Sequence, residues 1–341
     1  MPRDARLDTP GALHHIICRG IERRKIFRDD RDRDDFIERL GNVLSQSSTP
    51  CLAWALIPNH FHLLLKTGDT PISTVMRRLL TGYAVTFNHR HRRHGRLFQN
   101  RYKSILCQED SYLLELVRYI HLNPVRAKQV ASLAELNRYP YCGHGRLMGQ
   151  ASSDWQDLDG VLNRFGKAVS TARKKYADFV ADGMFQGRRP ELTGGGLVRS
   201  AGGWKELGAL RKSNIHLHND ERILGDSDFV EAVLKEAEES LERTQQYRQE
   251  GFGFDQLAHM VAGMFKINTK EIVVAGKQPQ RVLARSLLCY WSVRELGLKV
   301  TSVAKILGLT QPAVSRAVQR GERFAGEQEY RLKEIRKGIK S

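Results

Sequence analysis

Two apolar runs separated by a Pro-Asn step are the strongest constraint on the fold of this 341-residue chain. Residues 51–57 (CLAWALI) end at Pro58, and residues 60–66 (HFHLLLK) begin after Asn59. Short runs that are rich in large apolar residues and bounded by turn-forming residues are typical of strands. We therefore predict two adjacent strands here, or one strand that is interrupted at Pro58-Asn59.

Strand-like and helix-like patterns alternate around these runs. Residues 15–19 (HIICR) suit a further strand, and three segments show the apolar spacing of helices: 29–44, 74–90 and 111–122. The first turn of segment 29–44 is acidic, as the helix dipole favours, and Ser111 is the predicted N-cap of segment 111–122. This alternation predicts a small α+β sandwich.

The signals for regular structure weaken in the middle of the chain and strengthen again towards its C-terminal end. Glycine-rich steps punctuate the middle, which we interpret as a mixed helical connector with short helices at 159–165 and 171–181. From Gly251 onward the pattern is helical. The sequence therefore predicts three parts: an α+β domain over 1–145, a connector over 146–250 and an all-α domain over 251–341.

The balance of charge indicates the class of partner. Lys and Arg number 55 against 38 Asp and Glu, which gives a formal net charge of +17. This excess favours nucleic acid or an anionic membrane surface, but no apolar run approaches the roughly 20 residues of a membrane-spanning helix. The five cysteines lie far apart without a C-x-x-C pair, as is typical of reduced thiols. We predict a cytoplasmic, nucleoid-associated protein that binds nucleic acid and no membrane.

His60 and His62 lie two residues apart in the second apolar run. Alternate residues of a strand share a face, so the two imidazoles should project together while Phe61, Leu63 and Leu65 enter the core. Two imidazoles side by side on a rigid strand form half of a metal site. Two polar side chains on the wet face of a half-buried strand give the same pattern, so the spacing alone leaves both interpretations open.

A second group of candidate residues lies on the predicted helix 111–122. Tyr112, Glu115, Tyr119 and Asn123 recur at helical spacing and form one stripe. Tyr119 could act as a nucleophile, Asn123 as an oxygen ligand to a metal held by the histidines, and Glu115 as a residue that tunes the site. A tyrosine packed in the core and a solvated glutamate would explain the same stripe.

Four segments of the first 145 residues carry a resemblance to a known family. They are 19–30, 58–64 (PNHFHLL), 95–102 (GRLFQNRY) and 119–127 (YIHLNPVRA). In this order they closely resemble the REP-associated tyrosine transposases, a branch of the single-tyrosine HUH transposases. The resemblance implies a ferredoxin-like α+β fold with its active site on one face of the sheet.

The resemblance also implies a role for each matching residue. His60 and His62 would bind a divalent metal, Mg²⁺ or Mn²⁺, and Tyr119 would attack a DNA phosphate, leaving a 5′-phosphotyrosine and a free 3′-OH. Asn123 takes the position where relatives use Gln as the third ligand, with the same carbonyl oxygen but a shorter reach. The implied substrate is single-stranded or hairpin DNA, such as repetitive palindromic elements. Related transposases include dimers, so a monomer and a homodimer are both compatible.

A basic stretch, residues 77–103, precedes the tyrosine and contains no acidic residue. Aromatic side chains are interleaved with its cations, as in sites where cations follow a nucleic-acid backbone and rings stack on bases. Its arginines would repel a metal ion from the histidines within 89–94, so we predict phosphate contacts, with a solvated basic face as the alternative. The predicted DNA contacts are Arg77, Arg78, Arg90, Arg92, Arg93, Arg96, Arg101 and Lys103.

Residues 300–320 (VTSVAKILGLTQPAVSRAVQR) resemble the helix-turn-helix of bacterial repressors. Ala304 is small where two helices would cross, and Gly308 can adopt the turn. The helices predicted before it, 254–265 and 280–296, resemble the DNA-binding domain of the chromosomal replication initiator at the level of the fold. A helical bundle without DNA contacts is the alternative. The predicted contacts to duplex DNA are Gln311, Ser315, Arg316, Gln319 and Arg320.

Three functional hypotheses follow. The favoured one is a transposase-like DNA endonuclease and strand-transferase, because His60, His62 and Tyr119 are all present. The second is a non-catalytic DNA-binding transcriptional regulator derived from a transposase. The third is a metallohydrolase that uses a bound water in place of Tyr119, and it would form no covalent adduct with DNA.

Overall fold

The computed structural model describes residues 11–68, 70–186, 189, 192, 220, 222–273 and 278–340. The chain divides into two compact units, residues 1–232 and 233–341. This division differs from the boundaries predicted at residues 145 and 250.

The first unit is built on a mixed sheet with the strand order β2-β3-β1-β4-β5. Strand β5 pairs in parallel with β4, and the other pairs are antiparallel. Strands β2 and β3 form a hairpin across Pro58-Asn59, which confirms the prediction of two adjacent strands. The strands are β1 (Leu13–Arg19), β2 (Cys51–Ile57), β3 (His60–Lys66), β4 (Lys103–Cys107) and β5 (Ile223–Leu224).

Helices cover both faces of this sheet. Helices α1 and α2 pack on the face that carries Phe61, Leu63 and Leu65, whereas α3 packs on the opposite face with Leu64. The helices are α1 (Asp30–Ser47), α2 (Ile72–Arg90), α3 (Glu109–His121), α4 (Asn123–Arg126), α5 (Leu133–Arg138), α6 (His144–Leu147), α7 (Asp159–Leu162) and α8 (Val169–Asp182). Short 3-10 turns occupy Ile21–Arg23 and Gly183–Phe185.

The start of the third helix differs from its prediction. Ser111 was expected to be the N-cap, but α3 begins at Glu109, after Gln108 in an extended conformation. Glu109 and Asp110 occupy the first turn, where the partial positive charge of the helix dipole favours carboxylates. Two favourable acidic residues at the N-terminus therefore extend the helix by two residues.

Part of the predicted connector belongs to the core of the first unit. Val161 of α7 and Tyr176 and Val180 of α8 are fully buried in the apolar cluster that contains Leu116 and Ile120 of α3. Burial of large side chains in one shared cluster stabilises these helices as part of the same unit. The segment that follows the predicted boundary at residue 145 thus packs in the same apolar cluster as α3.

The second unit is helical, and the division between the units falls inside α9. Its interior contains Leu257, Val261, Leu287, Trp291 and Val314, all almost fully buried. The helices are α9 (Ser227–Gln249), α10 (Phe254–Met264), α11 (Thr269–Val273), α12 (Pro279–Arg294), α13 (Val300–Leu307), α14 (Gln311–Glu327) and α15 (Leu332–Lys340).

A tight turn joins α13 and α14. Gly308 has a φ of +60°, in the left-handed region that glycine adopts without strain, and it ends α13. The Thr310 side chain then accepts a hydrogen bond from the Ala313 backbone N–H at the start of α14. Across both units, no described helix is long and apolar enough to cross a bilayer.

Candidate active site

The two histidines of β3 project from the sheet face that α3 covers. Their neighbours on β1 are set by the antiparallel register, in which Ile17 lies opposite His62 and Arg19 lies opposite His60. The ring centroids of His60 and His62 are 5.1 Å apart. Phe61 is fully buried on the other face, as the alternation along the strand predicts.

The hydrogen bonds of His60 define its tautomer. The Asn59 amide nitrogen donates to the Arg23 carbonyl oxygen over 3.2 Å, so the Asn59 carbonyl oxygen faces the His60 ring. His60 Nδ1 lies 2.7 Å from this oxygen and must donate to it. Nε2 of His60 therefore carries the lone pair. Burial, with a contribution from the Arg19 guanidinium, lowers the pKa of His60 to about 4, so the ring is neutral.

His62 is held by a third histidine that the sequence analysis did not single out. A hydrogen bond of 3.0 Å joins His62 Nδ1 and His15 Nε2, and the two rings are stacked with centroids 5.2 Å apart. His62 is only 3% exposed. Burial, followed by the charges of His15, His60 and Arg19, lowers the pKa of His62 well below its usual value.

Tyr119 lies above these histidines on α3. Its ring centroid is 5.8 Å from that of His62 and 6.0 Å from that of His15, both in edge-on arrangements. The residue is half-buried and lines an open cavity. The guanidinium carbon of Arg126 lies 5.2 Å from the ring centroid. Tyr119 is therefore more accessible than its neighbours Leu116 and Ile120 on α3, which are fully buried in the core.

Asn123 begins the short helix α4, one turn after Tyr119. Its amide nitrogen donates to the Tyr119 carbonyl oxygen over 2.9 Å, which leaves the amide oxygen directed away from that backbone. Asn123 is 9% exposed and lines the same cavity as the tyrosine. An oxygen donor thus lies beside the two imidazoles.

One cavity of about 410 Å³ collects these side chains. Predicted and unpredicted residues line it together: Ile17, Arg19, His60, His62, Gln99, Asn100, Arg101, Lys103, Tyr119 and Asn123. Two of the predicted DNA contacts, Arg101 and Lys103, lie here, and both are exposed. Arg19 adds a third exposed cation from the end of β1. The cavity therefore combines neutral imidazoles with positive charge.

The loop before β4 is fixed against the end of β1. The Gln99 backbone N–H donates to the Arg19 carbonyl oxygen over 3.0 Å, and Gly20 bridges to Phe98. A side chain at Gly20 would meet the Arg24 carbonyl oxygen at 2.2 Å from its Cβ. The turn after β1 therefore requires glycine at position 20, and the hydrogen bond from Gln99 places Arg19 and Gln99 at the same edge of the cavity.

The other cations of the basic stretch lie elsewhere. Arg77 and Arg78 are exposed on α2 and line a different cavity, which also contains Asp35 and Glu38. Four more occupy the end of α2 and the loop after it: Arg90, Arg92, Arg93 and Arg96.

Two of these arginines form contacts within the first unit. Arg90 binds the Asp29 carboxylate over 2.6 and 2.7 Å and also contacts the buried carboxylate of Asp32. Arg93 donates to Asn88 over 3.0 Å. The Arg90 contacts attach the end of α2 to the start of α1, whereas the Arg93 contact joins the loop to the end of α2. The phosphate contacts predicted for the two residues remain predictions.

Glu115 does not face the cavity, and its carboxylate is neutralised by arginines. Arg118 donates to it over 2.6 and 2.7 Å, and Arg189 over 2.8 Å. The Glu115 side chain is 29% exposed, and it is not among the residues that line the cavity.

The predicted duplex contacts belong to the second unit. Three are exposed on α14, namely Gln311, Arg316 and Arg320, and two are half-buried, namely Ser315 and Gln319. Arg320 Nε also donates to Ser286 Oγ over 3.2 Å. These residues share one helix but not the cavity of the first unit.

The sequence contained part of the signal for the residues of the site that its analysis missed. His15, Ile17 and Arg19 alternate along β1, but their position beside β3 follows from the register, which a single strand does not reveal. Gln99 and Asn100 stand in a motif segment that carried the family resemblance. Among the described residues, no cluster of three His, Cys, Asp or Glu side chains could hold a metal ion.

Comparisons with known proteins agree with the motifs. Among solved structures, the chain is similar to a REP-associated tyrosine transposase bound to a REP hairpin, with 17% identity and a TM-score of 0.37. This similarity covers 49% of this chain and 98% of that one. No curated protein matches. The model of the family described as Transposase IS200 like matches residues 10–123, a segment that contains both histidines, the tyrosine and Asn123. The predicted resemblance to these transposases is thereby confirmed over residues 10–123.

Proposed function

We propose that the first unit nicks single-stranded or hairpin DNA through Tyr119 and can rejoin strands through the same covalent link. The observation that carries this proposal is the single cavity that contains Tyr119, His60, His62 and Asn123 together with exposed cations. The family match of residues 10–123 supports transposase-like DNA processing. The identity of the nucleophile and the requirement for a metal are the proposed parts.

The topology supports a ferredoxin-like fold for this unit. Its elements follow the order β1-α1-β2-β3-α2-β4, and strands β2, β3, β1 and β4 are neighbours in an antiparallel arrangement. A β-α-β-β-α-β order of this kind is the signature of that fold. In this arrangement α1 and α2 cover one face of the sheet, and the proposed site lies on the other face, beside α3. The family resemblance implies an active site on one face.

The residues present fit a divalent metal. His60 is neutral, and its Nδ1–H is held by Asn59, which leaves Nε2 as a ligand atom with a second hydrogen bond that orients the ring. His62 can donate from Nδ1 to His15 and present Nε2 in the same way. The Asn123 amide oxygen would be the third protein ligand, and oxygen ligands suit Mg²⁺ and Mn²⁺. When bound, such an ion would neutralise and align a scissile phosphate.

Tyr119 supplies the nucleophile in this proposal. Its phenolic oxygen forms a bond to phosphorus, the bond from phosphorus to the 3′ oxygen breaks, and the phenolic proton passes to solvent while the 3′ oxygen takes up a proton. The products are a 5′-phosphotyrosine and a free 3′-OH. Because the phosphodiester is exchanged for another ester, attack by the 3′-OH can reverse the step without ATP.

Positive charge at the cavity rim would hold the DNA. Arg19, Arg101 and Lys103 are exposed beside Tyr119, and phosphate contacts of this kind orient a nucleic acid without reading its sequence. Gln99 and Asn100 offer side-chain amides that can bond base edges. Arg92 and Arg96 are also exposed, on the loop that leads to this rim.

The second unit is proposed to bind duplex DNA by a helix-turn-helix. Helix α13, the turn at Gly308 and helix α14 have the required order, and Leu307, Val314 and Val318 are buried. Gln311 and Arg316 are exposed near the start of α14, where a recognition helix contacts base edges. This module would guide the nuclease to its target region.

A covalent adduct tests the proposed function. The protein is incubated with labelled hairpin DNA and Mn²⁺ or Mg²⁺, and the products are separated under denaturing conditions. We expect an adduct that resists denaturation in the unmodified protein and in the control Tyr112→Phe, which alters another half-buried tyrosine of α3. We expect no adduct in Tyr119→Phe or His60→Ala.

Two other outcomes would overturn the proposal in different ways. Nicked DNA without an adduct, retained in Tyr119→Phe, would indicate a metallohydrolase that activates water. Binding without cleavage across many hairpins would indicate a non-catalytic DNA-binding regulator derived from a transposase.

A further inference from the structure

Arg126 occupies a position beside the tyrosine that the proposed reaction does not yet explain. Its guanidinium carbon lies 5.2 Å from the Tyr119 ring centroid, and its Nη1 donates to the Tyr119 carbonyl oxygen over 3.3 Å. The rings of His15 and His62 meet Tyr119 edge-on. The tyrosine is thus flanked by imidazoles and by one guanidinium.

The position of Arg126 is set by the turn that follows α3. Pro124 lies in the first turn of α4, where its fixed φ suits a helix start, and the Arg126 backbone N–H donates to the Leu122 carbonyl oxygen over 3.0 Å. Leu122 and Asn123 are buried, so this turn cannot move away from α3 without losing core contacts. The guanidinium is therefore held beside the tyrosine by the backbone.

Arg126 differs from the other arginines near α3 in its partners. Arg118 and Arg189 both bind the Glu115 carboxylate. Within the described part of the chain, no carboxylate forms an ion pair with Arg126, whose contacts are the ring and the carbonyl oxygen of Tyr119. A half-buried cation without a carboxylate is costly, so an anion that arrives with a ligand would be bound favourably.

The electrostatics of this group agree with that expectation. Burial lowers the pKa of Arg126, the nearby Arg189 and Arg118 charges lower it further, and Tyr119 opposes them. The Arg126 guanidinium thus adds positive charge beside the tyrosine ring. During the proposed cleavage, negative charge develops on the phenolic oxygen and on the phosphate that joins it.

We propose that Arg126 acts in cleavage through Tyr119, as a positioning residue whose guanidinium stabilises the charge that develops on the tyrosine and its phosphate ester. This inference rests on the proposed function. As the oxygen–phosphorus bond of the phosphotyrosine forms and the bond to the 3′ oxygen breaks, Arg126 remains protonated and exchanges no proton. In the reverse step the same charge stabilises the departing phenolic oxygen. Preorganised donors that are directed at developing charge act in this way.

Single-turnover kinetics of adduct formation test the inference. The first-order rate is measured with saturating hairpin DNA and Mn²⁺ in the full-length protein, Arg126→Met, Arg126→Lys and the control Arg164→Met. Arg164 is a surface residue that pairs with Glu109 and Asp110, away from the cavity. We expect a loss of about 100-fold in Arg126→Met, about 10-fold in Arg126→Lys and no change in Arg164→Met.

Rescue by guanidinium ion separates a charge effect from a folding defect. Arg126→Ala leaves space for a small cation, so added guanidinium at concentrations too low to denature is expected to raise its rate at least tenfold, while methylammonium has a smaller effect. A folded Arg126→Ala protein with a rate within twofold of the unmodified protein would overturn the inference. A slow, unrescued protein that melts below the assay temperature would also overturn it, because Arg126 would then be structural.

Failure of the proposed function gives a distinct result. If the unmodified protein forms no adduct under conditions where it binds the hairpin, both the nucleophile and this role of Arg126 are wrong. If the unmodified protein and Arg126→Met form the adduct at equal rates, Tyr119 stands as nucleophile and only the role of Arg126 is wrong.

Discussion

Acidification is expected to destabilise the first unit because its interior holds neutral histidines. His14 is 1% exposed, with Nδ1 3.1 Å from Ser104 Oγ. His144 is 2% exposed and lies between Asn137 and the hydroxyl of Tyr176, at 2.8 and 2.7 Å. Burial lowers the pKa of each histidine from 6.5 to about 4. Neither ring can be protonated without placing a charge in the core.

The sign and size of the effect follow from these pKa values. The folded pKa lies below the unfolded one, so the stabilisation is complete above pH 6.5 and is lost as the pH falls from 6.5 to about 4. Each pH unit in that window lowers the free energy of unfolding by about 1.4 kcal/mol per histidine. From pH 6.5 to pH 5 the loss is about 2 kcal/mol for each and about 4 kcal/mol for both, which is a large part of the roughly 5–15 kcal/mol of a typical domain.

Urea unfolding at pH 7.5 and pH 5, followed by tryptophan fluorescence, measures this loss. His144→Gln should reduce the difference between the two pH values by about 2 kcal/mol, because one titrating group is removed. The matched control His259→Gln, an exposed histidine of the second unit, should leave the difference unchanged. A free energy of unfolding that changes by less than about 1 kcal/mol between these pH values would refute the reasoning.

Three further predictions follow from single contacts. Tyr176→Phe removes the hydroxyl that pairs with Nδ1 of His121 and with Nδ1 of His144, and should lower the free energy of unfolding by about 2–4 kcal/mol in urea; a loss below about 1 kcal/mol would contradict it. His15→Ala removes the hydrogen bond to His62 and should weaken Mn²⁺ binding, measured by electron paramagnetic resonance, by about 10- to 100-fold; unchanged affinity would argue against a metal on His62. Gly308→Val forces a β-branched residue to a φ of +60° and should destabilise the second unit by about 1–2 kcal/mol in thermal melting, whereas an unchanged melting temperature would mean that the turn relaxes.

The elements that carry the histidines and the tyrosine follow from local pattern. Alternation along 60–66 places His60 and His62 on one face, and helical spacing places Tyr119 and Asn123 one turn apart. Both predictions depend only on neighbouring residues. In the structure, strand β3 contains both histidines and helix α3 contains the tyrosine. The turn at Pro58-Asn59 follows in the same way.

Other parts of the site depend on contacts between distant segments. His15 reaches His62 through a strand register across 47 residues, and Arg126 reaches Tyr119 only after the chain turns at Pro124. Neither geometry is encoded in the spacing of a single element. Both residues therefore became visible only in the folded chain.

The extent of the first unit was also beyond local pattern. Tyr176 and Val180 have the spacing of any amphipathic helix, and the same spacing is expected of a connector. Their burial against Leu116 of α3 reflects complementary packing between segments far apart in sequence. Similarly, the charge of Arg90 suggested a phosphate contact, whereas its carboxylate partners lie 58 and 61 residues away.

Mapping the covalent link to a residue tests the central claim most directly. The adduct formed with hairpin DNA is digested with nuclease and protease, and the modified peptide is sequenced by mass spectrometry. We expect a nucleotide attached through its 5′ phosphate to Tyr119, and a released strand whose 3′-OH a polymerase can extend. Attachment at another residue, or nicked DNA without any modified peptide, would contradict the assignment of Tyr119 as the nucleophile.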